Sequence, residues 1–399
     1  MEKRNARKTL FTCCGTHVLH DGLADIIYVL LPVLAQTFNL NFAQVGLIRG
    51  AHRAALTLFQ IPAGLLAERL GERNLLAIGT LISGLAFIWL GVAGGFLAVL
   101  ASLFFAGLGG AFQHPLCSSI VSSAYAGGGR RAALGTYNFS GDLGKFIFAG
   151  VTSLVIAGGF AWQRPVIGFG VLAVVSAVAI VVAFTIIGAG GRPEPRGHDD
   201  DAPKVTGWGI RNPVGFSALC GIMIVDNTTR NGLLTFIAFL LIAKGVPEKL
   251  AVTAIPVILI GGMVGKLACG FLAERIGIIR TVVITEVATG IGIFLVLLLP
   301  NLAAYAILPI IGVALNGTSS VLYGTVGDLV ESERQSRVFG LFYTLGTLSG
   351  ILAPLAYGAL GDVIGIEAAI TVAAFVVFLA IPLCLVLRPA VHAAAAAGD

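Results

Sequence analysis

The octapeptide "GLLAERLG" occupies residues 64–71, and "GFLAERIG" occupies residues 270–277. Whether this near-identity marks a duplication depends on where each copy falls in the hydrophobic pattern. Of the 399 residues, 57% are hydrophobic and 11% charged, whereas an ordinary soluble domain carries about 25% charged residues. That apolar surface is more than a water-facing fold can bury, so lipid is the expected solvent for most of the chain. Twelve apolar segments follow, at 9–36, 43–67, 74–95, 97–124, 132–157, 165–188, 213–243, 249–273, 279–300, 302–326, 337–360 and 366–387. Each is near the roughly 20 residues that a membrane-spanning helix needs. The first octapeptide ends the second segment, and the second octapeptide ends the eighth.

Between the sixth and seventh segments lies "GRPEPRGHDDDAPKVTGWGIRN" (191–212), whose Pro, Gly and mixed charge read as a solvated linker. It separates an N-terminal bundle of six helices (1–190) from a C-terminal one (213–399). At a shift of 205, Asp21 falls on Asp226, Gly135 on Gly340 and Gly141 on Gly346. Two parallel six-helix halves related by an axis along the membrane normal are one transporter plan, and the matches in register predict an all-α membrane protein of twelve transmembrane helices built that way.

Charge sets the expected orientation. With both termini inside and residues at segment ends counted with the adjoining loops, the inner tails and loops hold 17 of the 25 Lys and Arg, the outer loops hold three (Arg164, Lys244, Lys249), and five lie deeper within segments. This bias places both termini in the cytoplasm. The basic start, "MEKRNARKTL", lacks a following cleavage site and reads as a retained cytoplasmic tail. A net charge of +5 with no run of Lys or Arg gives no reason to expect a nucleic-acid partner. The six cysteines form no CxxC pair, which argues against a disulfide framework or a zinc site.

With these features in place, the chain resembles the major facilitator superfamily. "GLLAERLGERN" (64–74) is similar to that family's loop signature, with Glu68 and Glu274 where Asp is usual. Within the superfamily, "HVLHDGLADIIYVLLPVL" (17–34), "NFAQVGLI" (41–48) and "GLGGAFQHP" (107–115) resemble the fosmidomycin-resistance group of efflux transporters. Arg49, His52, Arg53 and Gln113 depart from that pattern. The resemblance implies alternating access, and it favours export. It also implies a gating role for Gly64, Glu68, Arg69, Gly71 and Arg73 and for their counterparts Gly270, Glu274 and Arg275. The glycines would allow tight turns, and Glu68 would accept from a helix N-terminus or from Arg69, Arg130 or Arg131. The competing reading is that Arg69 and Arg73 only enforce topology.

Charged groups inside the segments narrow the chemistry. Arg49, Arg53, Lys145, Arg230 and Lys266 face five acids, Asp21, Asp25, Asp142, Asp226 and Glu286. Each costs about 2.5–3.5 kcal/mol at a helix centre, so such groups pair with one another or line a pathway. At about 100° per residue, His17, His20, Asp21 and Tyr28 share one stripe; Arg49, His52, Arg53 and Gln60 share a second; Asn138, Asp142 and Lys145 share a third. Asp226 and Arg230 are one turn apart. The pairs expected from this are Asp142 with Lys145, Asp226 with Arg230, and acids of the first segment with arginines of the second.

For proton coupling the candidates are Asp21 and Asp25, ahead of Glu286, with His20 and His17 as alternatives, because changing neighbours can load and release a proton. Arg49, Arg53 and Arg230 fit a carboxylate, phosphate or phosphonate. The substrate-binding set is Tyr28, Arg49, His52, Arg53, Gln113, His114, Asn138, Asp142, Lys145, Asp226, Arg230 and Lys266. His114 could equally be a packing residue, and the aromatic Tyr137, Phe139, Tyr323, Phe342 and Tyr343 could line the path or simply pack.

A divalent ion on His17, His20, Asp21 and Asp25 is opposed by the arginines. No nucleotide loop and no nucleophile with an ordered base is present; "GTSS" (317–320) lacks one. The expectation is therefore a non-enzymatic, cofactor-free monomer of the bacterial inner membrane. It would move a small, anionic organic solute against protons in antiport, with proton symport, or a non-transporting sensor on the same fold, as alternatives.

Overall fold

The computed structural model describes residues 2–125, 129–191, 207–331 and 335–398. The described residues fold almost entirely as helix: α1 (Glu2–Phe38), α2 (Phe42–Leu70), α3 (Glu72–Gly91), α4 (Phe96–Gly110), α5 (Gln113–Ala124), α6 (Arg130–Ala157), α7 (Gln163–Ile187), α8 (Pro213–Ala243), α9 (Glu248–Ala251), α10 (Ala254–Ile276), α11 (Ile278–Leu298), α12 (Asn301–Asp328), α13 (Gln335–Ile364), α14 (Ile366–Val376) and α15 (Ala380–Gly398). Each segment expected from the sequence is helical. Three of them are broken, between α4 and α5, α9 and α10, and α14 and α15, where a 3₁₀ turn intervenes at Val377–Leu379. All three breaks have one cause. Pro115, Pro256 and Pro382 each follow the break, and a proline ring clashes with the carbonyl four residues back while offering no N–H.

Among the described residues, ten helical stretches are long and apolar enough to cross a membrane. The long helices α2 and α8 are not among them, because each carries a polar run: Arg49, His52, Arg53 and Gln60 in α2, and Asp226, Asn227, Arg230 and Asn231 in α8.

The chain divides into two compact units, Met1–His198 with Glu248–Pro256, and Asp199–Pro247 with Val257–Asp399. In the first, α1 packs along α6, α3 along α7 and α2 along α4. Cys13, Leu75, Leu76, Leu116, Cys117 and Phe184 form part of its core. In the second, α8 packs against α13 and α15, and α11 against α12 and α14, around Phe216, Leu219, Leu322, Phe342 and Leu387. All six cysteines are free thiols. Most of the 191–212 linker lies outside the described residues; its end is fastened to the end of α12 by Arg211 N–H on the Leu329 carbonyl (3.0 Å) and Glu331 N–H on the Gly209 carbonyl (2.9 Å).

The repeat is visible in backbone geometry. Gly71 joins α2 to α3 at φ 85°, ψ 149°, and Gly277 joins α10 to α11 at φ 89°, ψ 155°, a region open essentially to glycine alone. The Gly71 N–H bonds to the Ala67 carbonyl at 2.9 Å, and that of Gly277 to the Ala273 carbonyl at 3.0 Å. A Cβ on Gly107 would meet the His52 carbonyl oxygen at 2.2 Å, and one on Gly312 the Ile258 oxygen at 2.1 Å. Each unit thus presses two helices together at the same place.

Gly64 and Gly270 correct the turn expectation. Both lie inside helices, and a Cβ on either would meet open space, so the turn belongs to Gly71 and Gly277.

Candidate functional site

Asp21, buried on α1, gathers groups from three helices. Its Oδ2 lies 3.3 Å from His17 Nε2 and 3.1 Å from Lys145 Nζ of α6, and its Oδ1 lies 3.3 Å from His114 Nε2 of α5. Lys145 Nζ also donates to Asp142 Oδ1 at 3.1 Å. The break before Pro115 starts a new helix at Gln113 and so sets the direction of both Gln113 and His114. Gln113 donates to the Tyr137 hydroxyl (2.6 Å), and the Tyr137 ring stacks on His17 with centroids 4.1 Å apart. His114 meets His17 edge to face at 5.1 Å.

Hydrogen-bond roles fix a proton here. His17 Nδ1 lies 2.7 Å from the backbone carbonyl of Tyr137. A carbonyl only accepts, so Nδ1 carries a hydrogen. Nε2 then faces Asp21 Oδ2, and a neutral imidazole would set its lone pair against a carboxylate oxygen. The contact is attractive only when one further proton sits on His17 or on Asp21. His20, by contrast, bonds Thr80 Oγ1 at 2.9 Å, and Thr80 in turn donates to the Leu76 carbonyl. His17, Asp21 and His114 also place three ligand atoms within 4.8 Å of one another, the spacing a metal ion could use. The ammonium of Lys145 beside the same carboxylate opposes a dication there.

A second cluster lies further along α1. Arg49 of α2 is 1% exposed. Its guanidinium sits 3.9 Å over the Tyr28 ring and 3.8 Å from Asp25 Oδ1, and donates to the Ala24 carbonyl at 3.2 Å. Nη1 also lies 3.4 Å from His52 Nδ1. Arg49 Nε and Nη2 are buried without a hydrogen-bond acceptor. Arg53 adds a second guanidinium, whose charge Tyr28 and Asp25 again favour.

In the second unit, Asp226 Oδ2 lies 3.9 Å from Arg230 Nη2, which donates to Asn227 Oδ1. Asn227 Nδ2 reaches back to the Met223 carbonyl at 3.0 Å, and Asn231 Nδ2 to the Asn227 carbonyl at 2.8 Å. The pairs expected from spacing within a helix, Asp142–Lys145 and Asp226–Arg230, are present, and Asp25–Arg49 is the pair formed between an acid of the first segment and an arginine of the second. Asn138 is exposed, and Lys266 is half-buried on α10.

Of the gate residues, Arg69, Glu274 and Arg275 are exposed near their helix ends. The side chains of Glu68, Arg130 and Arg131 lie outside the described residues. Arg73 ties α3 to the end of α7, with Nη1 donating to Thr185 Oγ1 (3.0 Å) and its N–H to the Gly190 carbonyl (2.8 Å).

Three participants escaped sequence reasoning. The Tyr137 carbonyl assigns the His17 hydrogen, Thr80 holds His20, and Gly141 leaves room for the His17–Asp21 pair. Tyr137 enters the sequence reading only as an aromatic that lines or packs, and Gly141 only through its match to Gly346 in the repeat. A Cβ on Gly346 would likewise approach a polar residue of the partner helix, 3.3 Å from Asn227 Nδ2.

The family model described as "Major Facilitator Superfamily" matches residues 13–354 and 259–398. The MFS-type transporter YfnC of Bacillus subtilis (strain 168) is 25% identical over 359 residues, 86% of this chain and 81% of its own. The Fosmidomycin resistance protein of Escherichia coli (strain K12) is 28% identical over 151 residues, 37% of either chain. Among solved structures, a bacterial homolog to the human lysosomal transporter Spinster, inward-facing and occupied, superposes with a TM-score of 0.78 over 96% of this chain and 97% of its own, at 17% identity. That likeness is one of fold.

Proposed function

This chain belongs to the major facilitator superfamily, whose members are integral membrane transporters of small solutes and not enzymes, and we propose on that premise that it couples solute movement to protons. The observation that carries the reading is the Asp21 contact with His17, which is attractive only with a shared proton. Lys145 and His114, beside the same carboxylate, supply competing positive or hydrogen-bonding partners. A proton leaving Asp21–His17 strengthens the hold of Lys145 on Asp21, and a returning proton weakens it. Such an exchange of partners can bias a two-state helix arrangement.

The solute is a small organic anion. Arg49 holds two buried donor atoms without an acceptor, Arg53 lies beside it, and a guanidinium is matched to carboxylate or phosphonate oxygens. Export by antiport is the favoured direction, supported by likeness to the Fosmidomycin resistance protein over part of the chain. Proton–anion symport is the second reading, since the arginines fit either direction. The protein works as a monomer in a bacterial inner membrane with both termini cytoplasmic and without a cofactor, the proton gradient supplying the energy. Glu68 and Glu274, with Arg69 and Arg275, act at the cytoplasmic mouth.

The test uses purified full-length protein in lipid vesicles enclosing a pH-sensitive dye. Fosmidomycin and a panel of small carboxylates and phosphonates are offered under an imposed pH gradient. At least one anion should move protons, and the sign of the pH change gives the direction. Flux confined to cationic or neutral solutes would refute the anion reading, and solute flux indifferent to the pH gradient would refute coupling.

A further inference from the structure

Among the described residues of the second unit, two buried carboxyls share one nearby guanidinium. Glu286 on α11 is 1% exposed and Asp226 on α8 is 3% exposed. Glu286 Oε1 and Asp226 Oδ2 have no hydrogen-bond partner. Among the described residues, the charged groups that act on Glu286 are Asp226 and Arg230, both from α8. Its other polar neighbours are the Cys384 thiol of α15 and the Thr318 hydroxyl of α12. Two carboxylates against one guanidinium leave a buried net charge of minus one. That guanidinium is also a poor partner, at 3.9 Å from Asp226 and with its Nη2 committed to Asn227. An uncompensated buried charge costs several kcal/mol, and taking up a proton is the ordinary way to avoid it.

The hydroxyls nearby are engaged elsewhere. Thr318 lies 2.7 Å from Thr285, and Thr285 donates to the Thr281 carbonyl at 3.0 Å, while Glu286 Oε1 keeps no hydrogen-bond partner.

We propose that Glu286 and Asp226 hold one proton between them, a second proton-binding site distinct from Asp21 and resting on the C-terminal half alone. Loading takes a proton from water and forms an O–H bond on one carboxyl of the pair, leaving the other to Arg230. Unloading breaks that bond and returns the proton to water, which requires Arg230 to serve both carboxylates or an anionic site to be tolerated. As a coupling site it rests on the proton-driven reading above; as a proton-binding site it stands by itself.

Infrared spectroscopy of the full chain in lipid vesicles reads this directly, because a protonated carboxyl has a C=O band that shifts in heavy water. At neutral pH the wild type should show such a band, unchanged in Asp21→Asn apart from any contribution of Asp21 itself. Glu286→Gln should abolish the component from this pair, since Asp226 then has Arg230 to itself. Arg230→Gln should raise it about twofold, two carboxyls now lacking a cation. If Glu286→Gln does not fold, Glu286→Asp should keep the band at a shifted frequency. A carboxyl band of unchanged area in Glu286→Gln overturns the site. Failure of pH-driven flux with the band present removes the coupling reading and leaves the site standing.

Discussion

Gly141 faces His17 so closely that a Cβ built on it would lie 2.5 Å from His17 Nε2, and 2.7 Å from Asp21 Oδ2. The absence of a side chain on α6 is therefore what gives the proton pair its place. Gly141→Ala should separate the two groups, abolish pH-driven accumulation, and lower stability by about 1–3 kcal/mol, the usual cost of overpacking. Vesicle flux and a thermal unfolding midpoint in detergent check both. Full pH-driven flux in this variant would mean that the His17–Asp21 contact is not needed for coupling.

Asp21→Asn keeps the size of the side chain and its capacity to hydrogen-bond, but cannot carry the proton. Solute binding and solute–solute exchange should persist, while accumulation driven by a pH gradient should fail. Running exchange and gradient-driven uptake on the same vesicles separates the two. Retained accumulation would move the coupling proton to Asp25 or to the Asp226–Glu286 pair.

Arg49→Gln removes a fixed charge and two buried donors that have no hydrogen-bond acceptor. Anion affinity should fall roughly ten- to a hundred-fold, the equivalent of losing a charge-assisted hydrogen bond at about 1.5–3 kcal/mol. Asp25 also loses its partner at 3.8 Å, so the unfolding midpoint should drop. Adding Asp25→Asn should restore the midpoint without restoring affinity, because an unpaired buried charge is the source of the instability. Affinity that returns in the double variant would show that Arg49 serves Asp25 and not the solute.

Gly71→Ala and Gly277→Ala should each destabilise by about 1–3 kcal/mol, the cost of forcing a side chain into that backbone region. Gly64→Ala and Gly270→Ala, placed inside helices with open space around them, should leave the unfolding midpoint unchanged or slightly raised. Four melting curves decide it. Equal losses at Gly64 and Gly71 would contradict the assignment of the turn to Gly71.

Periodicity and repeat made the helices legible, because a lipid-facing helix must be apolar over its whole length and the repeat fixes register. The helix breaks were less so. Pro115, Pro256 and Pro382 interrupt their segments, whereas Pro32, Pro62, Pro309 and Pro354 sit within continuous helices, and only the surrounding helices decide which proline is accommodated. Within one helix, spacing correctly paired Asp142 with Lys145. Contacts between helices depend on rotation about each axis, so the convergence of His17, Asp21, His114 and Lys145 could not be read from three separate stripes. Glu286 ranks behind Asp21 and Asp25 because it lies near the cytoplasmic end of its segment, and its neighbours Asp226 and Thr318, far away in sequence, could not be read from spacing.

The contacts at Gly107 and Gly312 are made of backbone on the opposing side, the carbonyls of His52 and Ile258. A contact of that kind asks nothing of the side chain that carries the carbonyl. After an ancestral duplication, each copy could thus keep its scaffold through glycine alone while its polar residues diverged without constraint from the other. One copy came to hold Asp21 with two histidines and a lysine, the other Asp226 with an arginine and the α11 glutamate. Shared ancestry in this chain is recorded where there are no side chains, and specialisation where there are.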